Sequence, residues 1–254
     1  MKLLLTIFLF MMFANSAHSQ TQIIAHRGFS SQAPENTLAA FQKAIDLGVP
    51  YLELDVHQTA DNVIVVIHDE SVDRTSSNAQ KGKVSDMTYQ ELQKVRVGYT
   101  ERFDTAFADE KIPSLKEVLL LAKGKIKVCI EIKVYGIEQE VVDIIRETEM
   151  SQDVVVFSFY YPVLAKIKSL QPDVKTLFLI SKANEDTADY AQIIGCMAIG
   201  VGKETEITPE FVNNVHKSGL QLWQWTIDDP ETMQKLIDLK VDGIITNKPD
   251  LLVD

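Results

Sequence analysis

His26 and Arg27 stand side by side where an apolar run breaks off, in the stretch "IIAHRGFSSQAPENTLAAF". Two later runs carry charge in the same way. "YLELDV" places Glu53 and Asp55 two residues apart, and "KVCIEIK" does so with Glu131 and Lys133. Strand side chains alternate between faces, so each pair shares one face while Leu54, Val56, Ile130 and Ile132 take the other. Charges set among β-branched neighbours are costly to bury without partners, so two such strands imply a shared one. Glu53, Asp55 and Glu131 together form an oxygen-ligand set suited to a hard divalent cation. Histidine suits proton transfer near neutral pH. Arg27 as a fork and Lys133 as a point charge suit a phosphate. Gathered at strand ends, these groups point to metal-assisted phosphoryl transfer.

The elements that must gather them can be read from the alternation of short β-type runs with helical patterns. Strands are expected at 22–25, 51–55, 127–133, 154–159, 175–180, 197–201, 221–226 and 243–246. Helices are expected at 35–47, 113–122, 137–147, 160–170, 184–193, 208–217 and 230–239. Pro113-Ser114, Thr208-Pro209 and Asp229-Pro230 are helix-start signals. Strand followed by helix, repeated, means parallel strands with right-handed crossovers. Eight such units predict a closed (β/α)8 TIM barrel, whose sites lie at the C-terminal strand ends. An open doubly wound sheet is the runner-up, but no Gly-x-Gly-x-x-Gly follows any strand.

One run, "VIVVIH" at 63–68, follows the second strand too closely for a parallel crossover and is expected to return as a hairpin. A two-residue turn at Asp61-Asn62 would set Asp55 opposite His68, and an odd-length turn would shift that register. Residues 69–112 then read as a polar insertion with one short helix near 88–95.

Residues 1–19 read as a secretory signal peptide, with Lys2, an apolar core from Leu3 to Phe13, and Ala17 and Ser19 before the cut; a single domain is expected over 20–254. The expected destination is therefore export, to the periplasm or outside the cell, with no stable membrane insertion after cleavage. The whole chain carries a formal charge of −11, and loss of Lys2 with the leader makes it −12. Such a surface argues against non-specific binding of nucleic acid or anionic membrane. An anionic substrate then needs locally concentrated positive charge. Cys129 and Cys196 lie in apolar runs without metal-ligand spacing and are expected as buried free thiols.

The segments "HRG…APENT", "YLELDV", "VVIHDESVDRT", "IPSLKEVL", "IEIK" and "VDGIITNKPD" occur in this order, and together the chain resembles the glycerophosphodiester phosphodiesterases. The resemblance implies a TIM barrel with a small insertion, a bound Ca2+ or Mg2+, and His26 and His68 as an acid/base pair. It implies Glu53, Asp55 and Glu131 as metal ligands, with Arg27 and Lys133 on the phosphate of a small-molecule phosphodiester. Asn36 would add a polar contact and Trp225 would wall the site. It also implies hydrolysis to glycerol 3-phosphate and an alcohol through a cyclic phosphate. The loop "FSSQ" is less glycine-rich than usual, and Asn247 stands where the family often has Asp; neither is expected to touch the chemistry. The alternatives are a phospholipase of the sphingomyelinase D type on the same barrel, or a non-catalytic phosphoester-binding protein. His57 and His216 read as solvated, Trp223 as core, and "DRT" at 73–75 as a loop support.

Overall fold

The structure, a computed structural model, describes residues 20–184 and 186–253. The expected signal peptide lies outside the described residues. Among the described residues there are nine strands: β1 (Gln22–Ala25), β2 (Tyr51–Gln58), β3 (Ile64–Val66), β4 (Lys127–Ile132), β5 (Val154–Ser158), β6 (Lys175–Ile180), β7 (Ala198–Gly202), β8 (Gln221–Trp225) and β9 (Gly243–Thr246). All pair in parallel except β3, and the β1–β2 pairing closes the sheet into an eight-stranded barrel. The (β/α)8 reading therefore holds.

The helices are α1 (Leu38–Leu47), α2 (Tyr89–Leu92), α3 (Thr100–Phe103), α4 (Leu115–Ala122), α5 (Glu138–Glu147), α6 (Tyr161–Leu170), α7 (Thr187–Ile194), α8 (Pro209–Lys217) and α9 (Pro230–Asp238). Local chemistry sets their starts. Thr37 caps α1 through the Ala40 N–H, and Ser114 and Glu117 close a capping box on α4. Thr208 and Asp229 cap α8 and α9, each followed by a proline that needs no amide partner there. One core lies between barrel and helices, around Phe41, Leu54, Val128 and Leu222. A second fills the lumen, where Trp223 meets Tyr51 and Phe157 edge-on at 5.6 and 5.7 Å. A Cβ at Gly243 would come within 2.6 Å of the Trp223 ring, so only glycine lets β9 pass there.

The hairpin forms, but in the odd-length register. Val56 pairs with Val66, His57 with Val65 and Gln58 with Ile64. Thr59 N–H donates to Val63 C=O at 3.0 Å, which leaves Ala60, Asp61 and Asn62 as the loop, with Asn62 left-handed at φ 64°. Asparagine tolerates that conformation, so the three-residue turn wins over the two-residue one. Asp55 consequently faces Ile67, whose N–H it accepts at 3.0 Å, and not His68.

Residues 69–112 are less polar than their sequence suggests. Val72, Val84, Leu92, Val95, Val97 and Ile112 close a small core with Val65 and Ile67 of the hairpin. Val66 N–H donates to Pro113 C=O at 2.9 Å, which pins the far end of the insertion to β3. Both cysteines are buried and unbonded. Two histidines depart from expectation. His57 is 7 % exposed, and His216 puts Nε2 2.8 Å from the Asp242 carboxylate, tying α8 to the approach of β9.

Candidate active site

Strand β2 organises the site because its two edges are used differently. β4 pairs along one edge from Tyr51 to Val56. The other edge is shared: β1 rises along it through Ile24↔Tyr51 and Ala25↔Leu52, and β3 descends along it to Val56↔Val66. Two chain segments thus run toward each other and end near the level of Glu53 and Asp55. His26 leaves the first and His68 the second. Both line one cavity of about 260 Å³, with Arg27, Glu53, Glu131 and Lys133 on the polar side. Phe157, Phe159, Leu179, Trp225 and Ile245 form the opposing apolar side. A larger cavity of about 600 Å³ between the loops after β7 and β8 shares Thr226 but holds neither imidazole nor any of the three central acids.

The register Asp55↔Glu131 sets those two acids side by side on neighbouring strands. Oxygens of Glu53, Asp55 and Glu131 all lie within 4.8 Å of one another. All three are buried, at 3, 0 and 9 % exposure. Burial and then the neighbouring carboxylates push Glu53 well above the usual range and Glu131 up to about 7. Asp55 goes the other way: burial would raise it, but Lys133 and Arg27 hold it below its ordinary value. Asp55 Oδ1 accepts no hydrogen bond, although Lys133 Nζ lies 3.4 Å away. Three crowded acids with an orphaned oxygen match the donor set of an oxygen-seeking divalent cation.

The imidazoles are oriented from behind. Asn247 Nδ2 donates to Asp228 Oδ2 at 2.6 Å, so its Oδ1 must face His26, 2.8 Å from Nδ1. Ser30 donates to the same oxygen at 2.9 Å. His26 therefore carries its proton on Nδ1 and turns Nε2 inward, 4.0 Å from Glu53 Oε2. Burial and the Arg27 guanidinium lower its pKa to about 4, which keeps it neutral at pH 7. His68 is arranged in parallel: its Nδ1 donates to Asp69 Oδ1 at 2.7 Å, leaving Nε2 for the cavity.

A chain of ion pairs joins the two halves. Arg74 clamps Asp69 at 2.6 Å and Glu35 at 2.7 Å, and Glu35 accepts from Arg27 Nη1 at 2.8 Å. Arg27 has φ 56°, which turns its side chain under Asp55, Nε to Oδ2 3.5 Å. The following Gly28 sits at φ 77°, and a Cβ there would meet the Ala40 backbone at 2.7 Å. The His-Arg-Gly order thus has a steric reason at its third position.

The structure brings His26, His68, Arg27, Lys133, Glu53, Glu131 and Trp225 to one cavity. Asp55 sits directly behind, within the acid cluster. Asn36 is spent elsewhere: its Nδ2 donates to Asp55 Oδ2 at 2.9 Å and it borders the acid cluster rather than the cavity. Lys133 donates to Glu131 at 2.7 Å. Trp225 is fixed by its Nε1–H on Gly200 C=O at 3.1 Å and stands edge-on to Phe159 at 5.5 Å. The expectation for Asn247 is overturned, because it touches His26 directly. Asp228, Glu35 and Asp69 were not anticipated. Glu35 and Asp69 sit within the quoted "PENT" and "HDESVDRT" segments, but nothing in their spacing reveals their partners.

The chain matches the Glycerophosphoryl diester phosphodiesterase family over residues 26–251. It is 38 % identical over 241 residues to a glycerophosphodiester phosphodiesterase of Caldanaerobacter subterraneus subsp. tengcongensis, covering 92 % of this chain and 97 % of the relative. Among solved structures it is similar to a glycerophosphodiester phosphodiesterase of Agrobacterium tumefaciens, with TM-score 0.80 and 30 % identity over 92 and 99 % of the two chains. It is also similar to an Oleispira antarctica phosphodiesterase in complex with the product sn-glycerol-3-phosphate, with TM-score 0.81 and 25 % identity over 91 and 94 %. A family match running from His26 to Leu251, together with a relative 38 % identical over nearly all of both chains, shows that the chain belongs to the Glycerophosphoryl diester phosphodiesterase family.

Proposed function

We propose that this enzyme hydrolyses glycerophosphodiesters to glycerol 3-phosphate and an alcohol, with a divalent cation at Glu53, Asp55 and Glu131. The observation that carries the reading is the pair of inward-facing Nε2 atoms, His26 and His68, in a cavity lined by Glu53, Glu131, Arg27 and Lys133, with Asp55 directly behind. The cation would supply positive charge against the phosphoryl oxygens, which answers how a chain of charge −11 binds an anion. Arg27 and Lys133 add to it from the cavity wall.

The substrate carries a hydroxyl beside its phosphodiester. Neutral His26 takes that proton at Nε2 while the hydroxyl oxygen attacks phosphorus. The bond from phosphorus to the alcohol oxygen breaks, and His68 delivers a proton to the leaving oxygen. Attack within one molecule gains up to about 7–11 kcal/mol in well-aligned cases. Water then opens the cyclic phosphate with the two histidines exchanging roles. The apolar wall of Phe157, Phe159 and Trp225 gives the carbon face of the substrate a dry surface.

The sequence of residues 1–19 supports export, and among the described residues no helix is long and apolar enough to cross a membrane. The family match favours the glycerophosphodiester reading over the sphingomyelinase D type. The test is release of glycerol 3-phosphate from glycerophosphocholine, with and without chelator, in the wild type and in His26→Ala. Loss of turnover in both, with trapping of the cyclic phosphate in His26→Ala absent, is expected. Undiminished turnover after complete cation removal would end the metal reading.

A further inference from the structure

His57 is a buried imidazole on the rim of the barrel that the chemistry above does not use. It has the same strand parity as Glu53 and Asp55, one step further along β2, and is 7 % exposed. Its Nε2 lies 3.1 Å from the carbonyl oxygen of His68. A carbonyl only accepts, so that nitrogen carries the hydrogen and the His57 ring is the donor. The location is telling. Among the described residues the β2–β3 ladder ends with Ile67 N–H on Asp55 C=O at 3.0 Å. His68 comes next and lies beyond the ladder, where its main chain has lost its cross-strand partner.

We propose that His57 is a positioning residue for His68. Asp69 fixes the ring through Nδ1, and His57 fixes the main chain through its carbonyl, so the imidazole is held at both ends. A side chain from β2 thereby replaces the backbone donor that the hairpin register withholds. The inference rests on reading His68 as one of the acid/base pair.

The test uses the full exported enzyme with saturating cation and glycerophosphocholine, comparing His57→Gln, His57→Leu and His68→Ala. Glutamine can still donate to the carbonyl and should keep kcat within about threefold. Leucine cannot, and should lower kcat by about tenfold or more, the range for one lost buried hydrogen bond. KM and the Ca2+ affinity measured by calorimetry should stay near wild type in both, because the acid cluster is untouched. Wild-type kcat in His57→Leu with His68→Ala inactive overturns the inference alone. An active His68→Ala overturns the underlying assignment and the inference with it. Equal losses in the Gln and Leu variants would show that the ring only fills space. Should the Leu variant not fold, ¹⁵N spectra of the native enzyme decide: a proton on His57 Nε2 is expected, and one on Nδ1 alone overturns the proposal.

Discussion

Asp228 lies behind Asn247, outside the catalytic cavity, yet Asp228→Asn should disable His26. Oδ1 of Asp228 accepts two donors, the Asn247 N–H at 2.8 Å and the Thr246 hydroxyl at 2.9 Å. Oδ2 accepts the Asn247 amide at 2.6 Å. An amide at 228 must keep its oxygen toward the two donors, so its nitrogen falls opposite the Asn247 NH2, donor against donor. Rotation of the Asn247 amide relieves the clash. Its NH2 then faces His26 Nδ1, which must become an acceptor, and the imidazole proton moves to Nε2. The nitrogen that should receive the substrate proton is then occupied. The bias being removed is one hydrogen bond to a charged acceptor, about 1.5–3 kcal/mol, so the productive tautomer and kcat should fall by about 10- to 100-fold. KM should hold, because Asp228 touches neither the acids nor the phosphate side. The assay is glycerol 3-phosphate release at saturating substrate, paired with ¹⁵N spectra reporting the His26 tautomer. The double variant Asp228→Asn/Asn247→Asp restores an acceptor facing His26 and should recover much of the loss. Wild-type kcat in Asp228→Asn with Nδ1 still protonated would refute the relay.

Cation binding should rise with pH. Glu131 is raised to about 7 in the folded protein without cation, so below that pH a proton occupies the ligand. Calorimetry in buffers of different ionisation enthalpy should show proton release near pH 6, and a pH-independent affinity between 5 and 8 would contradict the crowding of the three acids. The same raised carboxyl makes the cation-free fold gain stability as pH falls from about 7 toward the unfolded value near 4.3, readable as a rising melting temperature. Gly28→Ala should destabilise by about 2–4 kcal/mol, adding a left-handed alanine to a backbone clash at Ala40, and a melt unchanged from wild type would contradict the φ of 77°. Arg74→Ala should lower kcat by about five- to tenfold through release of Asp69 and Glu35, a modest figure because the Arg74 side chain is 39 % exposed; a change confined to KM would argue that Arg74 meets substrate instead.

Much of this was legible because β-structure advertises its faces. Glu53 and Asp55, and Glu131 and Lys133, declare their shared orientation by period two, and eight strand–helix repeats leave few ways to bring them together. The hairpin was legible as a hairpin, but its register turned on whether Asn62 adopts a left-handed conformation, a choice worth little energy and invisible in composition. His57 looked solvated because its partner is a main-chain carbonyl, which has no sequence identity to read. Asn247 looked remote because it lies 221 positions along the chain from His26, and only the β1–β9 pairing makes them neighbours. The insertion looked polar because its few valines are spaced irregularly, and their common core exists only once the hairpin supplies Val65 and Ile67.

That small core has an evolutionary reading. The segment between Asp69 and Pro113 is anchored at both ends, by Arg74 on Asp69 and Glu35 at one and by the Pro113 carbonyl on β3 at the other, and its valines close a core of their own with the hairpin. Its middle could lengthen, shrink or be exchanged while the spacing of the imidazoles stayed fixed. Descendants of such a chain can sample new rims, and so new alcohols, without reopening the question of how to cleave a phosphodiester.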